Sequence, residues 1–105
     1  MVLSLVIPCF NERDSLVPLL QALGQLRREL PADLPLELVL VDDGSRDGTA
    51  DALRQQAPAL AALGRWQLLE LSRNFGKEAA LLAGLDHATG AAVVLLDADL
   101  QDPPE

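Results

Sequence analysis

Four short apolar runs recur along the chain, at Leu3–Ile7, Leu36–Val41, Trp66–Leu71 and Ala92–Leu96. They are close to continuous rather than alternating, the pattern of strands covered on both faces, as in a parallel sheet. Pro8 closes the first. Between the first and second runs, Leu16, Leu19, Leu20, Leu23, Leu26 and Leu30 recur at i, i+3, i+4 and i+7, which predicts one helix over Glu12–Leu30 with a single buried stripe. Asn11 suits its N-cap, with Asp14 three residues on to complete a capping box, and Pro31 and Pro35 end it. A second helix is predicted from near Asp47, turning Ala50, Leu53 and Ala57 inward until Pro58 breaks or kinks it; Ala59–Gly64 reads as a connection. A third spans Lys77–His87, with Gly90 just past its end as a stop. The order β-α-β-α-β-α-β implies an α/β domain, a mainly parallel sheet with helices on its faces.

This periodicity also locates the chemistry. Pro8–Glu12, Asp42–Asp47, Ser72–Asn74 and Asp97–Gln101 each follow a strand, and in a parallel sheet all strand carboxyl ends lie along one edge, where open α/β folds bind ligands. Four polar clusters far apart in sequence therefore converge on one crevice. In the last, Asp97, Asp99 and Gln101 stand at i, i+2 and i+4, so an extended segment turns their oxygens to one side. Such a cluster fits a hard divalent ion, Mg²⁺ or Mn²⁺, although a solvated turn has the same composition. Asp42 at a strand end needs a hydrogen-bond partner if buried, and suits the N–H groups of a base or the hydroxyls of a ribose. Arg73 and Lys77 are either surface charges or phosphate contacts. Asn11 and Asp47 serve as helix caps on the plainer reading, and Asp43-Gly44-Ser45 as a turn. His87 lies away from the strand ends and reads as structural, as does Cys9.

Composition narrows the field. The chain has 105 residues, enough for one domain, and half are apolar but only Phe10, Trp66 and Phe75 are aromatic, so the core is built from Leu, Val and Ala. Sixteen acids against eight bases give a net charge of −8, which excludes non-specific binding to nucleic acid. An acidic chain also repels phosphorylated substrates unless a cation or helix N-termini intervene. Cys9 is the sole cysteine, so no intrachain disulfide forms. Val2–Ile7 is too short to span a membrane and lacks the basic flank of a signal peptide. The chain stops at Glu105, directly after its most chemical stretch, and reads as a piece of a longer protein.

VIPCFNE (Val6–Glu12), VDDGSRDGT (Val41–Thr49), LSRNFGKEAALLAGLDHA (Leu71–Ala88) and LLDADLQDPPE (Leu95–Glu105) resemble the inverting family 2 glycosyltransferases of GT-A fold. The likeness is greatest to the polyprenyl-phosphate sugar transferases, which include dolichol-phosphate mannose synthases and undecaprenyl-phosphate glucosyltransferases. It covers residues 1–105 with the motifs in order, and implies that they form the Rossmann-like, nucleotide-sugar-binding part of a GT-A domain, stopping after the DxD strand. The resemblance implies that Pro8, Asn11 and Glu12 line the pocket for base and ribose, that Asp42 holds the base, and that Asp43 and Gly44 shape the pocket beside it. Arg73 and Lys77 would border the donor pocket. Asp97, Ala98 and Asp99 would meet the donor, the two aspartates as the DxD pair, with Gln101 joining them on Mg²⁺ or Mn²⁺. The implied reaction moves a sugar, from UDP-glucose by preference or from GDP-mannose, to a membrane-embedded polyprenyl phosphate in cell-envelope or glycolipid synthesis. The whole protein would then work on the cytoplasmic side of a membrane, whereas residues 1–105 alone are expected to be soluble, catalytically inactive and prone to self-association through an uncovered sheet edge. Ala91 departs from the motif, which usually has an acid there, at a position before the fourth strand.

Other classes fit less well. A haloacid-dehalogenase-type phosphatase also places DxD after a strand, but prefers Thr or Val where Leu100 stands. A receiver-like signalling domain would want its acidic pair after the first strand rather than at Asp42-Asp43. A dinucleotide-binding dehydrogenase needs a glycine-rich first loop, and Pro8–Asn11 has no glycine. A non-catalytic nucleotide-binding module remains the alternative to an enzyme.

Overall fold

A computed structural model of the chain describes residues 1–11 and 13–96. The strands are β1 (Leu3–Cys9), β2 (Leu36–Asp42), β3 (Arg65–Glu70) and β4 (Ala92–Leu95), and the helices are α1 (Leu16–Glu29), α2 (Thr49–Gln55), α3 (Ala57–Leu63) and α4 (Lys77–His87). The strands form one parallel sheet in the order β3-β2-β1-β4. β1 to β3 therefore step outward in one direction, and the chain then crosses back to lay β4 on the other side of β1. The order reverses between β1 and β4, the place where open α/β sheets form their ligand crevice.

The predicted α/β architecture is present, with the two sheet faces filled differently. On one face, Leu5, Ile7 and Cys9 of β1 and Leu36, Leu38 and Leu40 of β2 pack with Leu16, Leu19 and Leu23 of α1, Leu53 of α2 and Leu60 of α3. These are the odd positions of one strand and the even positions of its neighbour, as the register Leu5↔Leu38 requires. The opposite face carries a smaller cluster, Val6, Val39 and Val41 against Ala80 of α4. The outer strands are not buried on both faces as expected: Val93, Val94 and Leu95 of β4 are 39%, 40% and 49% exposed.

Several boundaries differ from expectation. β1 does not stop at Pro8 but runs to Cys9, with Pro8 opposite Val41. The Val6 carbonyl accepts the Leu96 N–H, and the Cys9 carbonyl accepts that of Asp43. By that alternation the N–H that Pro8 lacks would point towards β4, beyond the last pair of the β1–β4 ladder at Val6↔Leu95, so the four pairs from Leu3↔Ala92 to Val6↔Leu95 are undisturbed. β2 gains Asp42, β3 sits one residue earlier than expected, and β4 ends at Leu95. The first helix is shorter than Glu12–Leu30: Arg13–Ser15 form a 3₁₀ turn before α1. Pro58 occupies one of the first two positions of α3, where the missing N–H costs nothing, so Ala59–Gly64 is mostly helix rather than a connection.

At the amino end of the sheet a buried carboxylate organises the crossover into β4. Glu37, 4% exposed on β2, accepts hydrogen bonds from Ser4 Oγ (2.7 Å), Thr89 N (2.8 Å) and Thr89 Oγ1 (3.0 Å), while Gly90 N donates to Ser4 Oγ (2.9 Å). Burial raises the pKa of this carboxyl, but the three donors and the charge of Arg65 outweigh it and hold the group below the ordinary glutamate range. Ala91 lies at this same end, its N–H bonded to the Val2 carbonyl, away from the crevice as expected.

Candidate nucleotide site

At the carboxyl edge, the loop after β2 acts as a strap between its two neighbours. On one side Asn11 N donates to Ser45 Oγ (2.8 Å), and Asn11 Oδ1 accepts from Arg46 N (3.0 Å). Asn11 therefore does not cap α1. It adopts φ +52°, a left-handed conformation that asparagine tolerates better than most residues, and its amide is spent on the second loop. Arg13 N donates to Asp47 Oδ2 (3.2 Å). Asp47 also accepts from Thr49 N (3.0 Å) and from Thr49 Oγ1, tying the start of α2 to the first loop; the N-cap itself is not the expected Asp47 but the next residue, Gly48, at φ +87°. Burial raises the pKa of Asp47, and these donors more than reverse that, leaving it below the usual aspartate range.

On the other side the strap meets the loop after β3. Gly44 adopts φ +72°, and a Cβ built there would overlap the backbone of Arg73 and Asn74, so only glycine lets the two loops close. Asp43, 3% exposed, faces this junction and accepts from Phe75 N (2.8 Å), Gly76 N (3.0 Å) and Asn74 Nδ2 (3.0 Å).

The three loops enclose an open cleft of about 530 Å³. Asp42, at the end of β2, lies on its wall with its carboxylate accepting only Ser45 N (3.2 Å) among the described residues. Arg46 from the second loop and Arg73 from the third also line it, the latter with its guanidinium 4.8 Å over the Phe75 ring. The cleft thus pairs an acceptor for N–H and O–H groups with two cations suited to phosphate oxygens. Gly44 lines it too, whereas Lys77 opens onto a separate groove beside Leu81, Leu95 and Leu96, at the exit of β4. Arg73 and Lys77, both expected to border the donor pocket, border two different spaces.

Pro8 sits within β1 and Asn11 between the loops. Glu12, Asp97, Ala98, Asp99 and Gln101 lie outside the described residues. Among the described residues, no three His, Cys, Asp or Glu side chains gather where they could share a metal ion. Phe10, Arg46 and Asn74, which fall within the clusters expected at the crevice but were given no individual role, also line the cleft, as does Glu70, which sequence reasoning passed over. Each stands within a few residues of a strand's carboxyl end, so position, rather than residue type, was the signal. His87 is structural as expected: its Nδ1 meets the Ala83 carbonyl at 2.9 Å and its own carbonyl accepts from Gln67.

The family model for glycosyl transferase family 2 matches residues 4–105. The chain belongs to that family. It is 47% identical, over 98% of its length, to an uncharacterized glycosyltransferase of Synechocystis sp.. It is 44% identical, over 97%, to an undecaprenyl-phosphate 4-deoxy-4-formamido-L-arabinose transferase of Pseudomonas fluorescens, and 41% identical, over its whole length, to a bactoprenol glucosyl transferase of Shigella phage SfV. It spans only 31%, 29% and 33% of those proteins. Among solved structures, 92% of the chain superposes on 27% of a mannosyltransferase from Pyrobaculum calidifontis in complex with GDP-Man and Mn²⁺, with a TM-score of 0.78 and 36% identity. A UDP complex of S. aureus TarS matches with a TM-score of 0.77 and 25% identity, covering 94% of this chain and 28% of that one. The GT-A assignment of the fold follows from these neighbours together with the parallel sheet. No described helix is long and apolar enough to cross a membrane.

Proposed function

We propose that the carboxyl-edge cleft holds the nucleotide of a sugar donor, and that the longer protein transfers that sugar to a polyprenyl phosphate with inversion at the anomeric carbon. The observation that carries this reading is the placement of Asp42 on the wall of a cleft whose other walls bear Arg46 and Arg73, over the carboxyl ends of β1, β2 and β3. Asp42 would accept N–H or O–H groups of the base or ribose, and Pro8, Asn11 and Glu12 would close that side. Arg46 and Arg73 would meet the phosphates. UDP-glucose is the favoured donor and GDP-mannose the alternative. The bactoprenol glucosyl transferase relative and the TarS complex with UDP support the first, and the Pyrobaculum complex supports the second.

The donor set at Asp97, Asp99 and Gln101 fits a hard divalent ion: two carboxylates and an amide oxygen at alternate positions of the sequence that follows Leu96, whose N–H is bonded to the Val6 carbonyl. Mg²⁺ or Mn²⁺ held there would act as a Lewis acid, neutralising charge on the departing nucleoside diphosphate. A lipid phosphate is ionised near neutral pH, so the acceptor needs no strong general base from this part of the protein. The acceptor and the membrane, approached from the cytoplasmic side, would be met by the remainder of the longer protein.

Calorimetric titration of the chain with UDP and with GDP, each with and without Mn²⁺, tests the reading. Saturable, Mn²⁺-dependent binding, weakened at least about tenfold by Asp42→Ala and by Asp99→Ala, is expected, a loss in keeping with removal of a charge-assisted contact. A folded chain that binds neither nucleotide under any metal condition would overturn it.

A further inference from the structure

Asp42 and Asp43 are adjacent, both are almost fully buried, and they face different parts of the molecule. Asp42 lies on the cleft wall. The Asp43 carboxylate accepts from three consecutive residues of the loop after β3: Asn74 through its side chain, and Phe75 and Gly76 through their backbone N–H groups. The Asp43 carbonyl takes a second bond from Asn74 Nδ2, at 3.2 Å. Phe75 and Gly76 immediately precede Lys77, the first residue of α4, so this carboxylate meets the donors at the positive end of that helix.

We propose that Asp43 is a positioning residue for donor binding: by holding Asn74, Phe75 and Gly76 it sets the Arg73–Lys77 segment against the cleft. This rests on the donor-site reading above. The segment reaches from the cleft, where Arg73 stands, to the groove at the exit of β4, where Lys77 stands beside Leu95 and Leu96. Its backbone passes through φ +104° at Gly76, a conformation most residues avoid, so local propensity alone does not hold it there. Because Asp43 is bonded to Asp42 through the main chain, one peptide unit fixes the separation between the acceptor on the cleft wall and the cation-bearing segment. Asp42 reads the nucleoside, and Asp43 determines where the phosphate-facing groups stand relative to it.

The test compares uridine and UDP as probes, both with Mn²⁺, in the wild-type chain and in Asp43→Asn. That substitution keeps the shape but turns an NH₂ towards a corner that supplies only donors. A positioning role predicts that uridine affinity stays within about twofold while the advantage of UDP over uridine shrinks at least about tenfold, as expected for loss of well-placed charge-assisted bonds to phosphate. Hydrogen exchange should quicken at the Phe75 and Gly76 amides and not across the sheet. Equal weakening of uridine and UDP would mean that Asp43 touches the nucleoside, and overturns the proposal. So does an unchanged UDP advantage with Phe75 and Gly76 deprotected. If Asp43→Asn does not fold, Gly76→Ala carries the same test: its Cβ would meet nothing within 4 Å, and it strains the same corner while keeping every cleft side chain. A wild-type chain that binds no nucleotide sinks the donor-site reading and the positioning role together, whereas normal wild-type binding with an unchanged UDP advantage in the variant sinks the positioning role alone.

Discussion

The two ends of β2 solve the same electrostatic problem with opposite results. Glu37 near the amino end and Asp43 just past the carboxyl end are only 4% and 3% exposed, and each accepts three hydrogen bonds on its carboxylate. At the amino end the donors come from β1 and from the α4–β4 connection, and Glu37 is consumed in closing that end. At the carboxyl end the burden falls on the second of two adjacent aspartates. The first, Asp42, keeps a single N–H partner among the described residues and faces a cleft. One carboxylate is enough to fasten loops, and a second beside it can recognise a ligand.

Four substitutions or conditions can break or sharpen that contrast. The largest effect belongs to Gly44→Ala, which forces a side chain into the Arg73–Asn74 backbone at φ +72° and should cost about 3 kcal/mol or more in urea unfolding. A variant within about 0.5 kcal/mol of wild type would mean that the loops fold independently of each other. Glu37→Gln comes next. It points an NH₂ at Ser4 and Thr89 donors, and should lose about 1–3 kcal/mol of stability while UDP binding in the folded variant stays unchanged. Impaired nucleotide binding there would show that the amino end is not separate from the site. Acidification follows. A carboxyl with a lowered native pKa takes up a proton more readily in the unfolded chain, so the contribution of Glu37 is complete above the ordinary glutamate value of about 4.3 and is lost as pH falls through the native one. Asp47 adds a loss of the same sign. Thermal midpoints measured from pH 6 down to pH 3 should fall, and fall less steeply in Glu37→Gln. The smallest effect belongs to Arg54→Ala. This exposed cation pairs with Asp51 at 2.7 Å and with Glu70, and its removal should change stability by less than about 1 kcal/mol.

The sheet and most helices were legible because their signals are local and redundant. The leucine stripe of α1 follows from side-chain period, and α4 from its alanine- and leucine-rich composition with Gly90 past its end. Helix α3 was hidden because Pro58 reads as a breaker until its place among the first two residues is known. Asn11 misled for a related reason: its amide can cap a helix or bridge two loops, and the choice depends on Ser45 and Arg46, more than thirty residues away. The convergence of the first three polar clusters was legible from topology alone. That Asp42 and Asp43 would differ was also expected, but the partners of Asp43 were not legible, because Asn74, Phe75 and Gly76 stand more than thirty residues away.

Pro8 gives the sheet an end point written as a missing hydrogen. The rung after Leu96 N–H to Val6 would run from position 8 to the Leu96 carbonyl, and proline has nothing to donate. Among the described residues, the hydrogen bonding between β1 and β4 accordingly ends on the Leu96 N–H. A Pro8→Ala variant would restore the donor, and an added protected amide at position 8 would register the longer ladder. The same ring that is accommodated opposite Val41 on the β2 side therefore withholds a hydrogen bond on the β4 side.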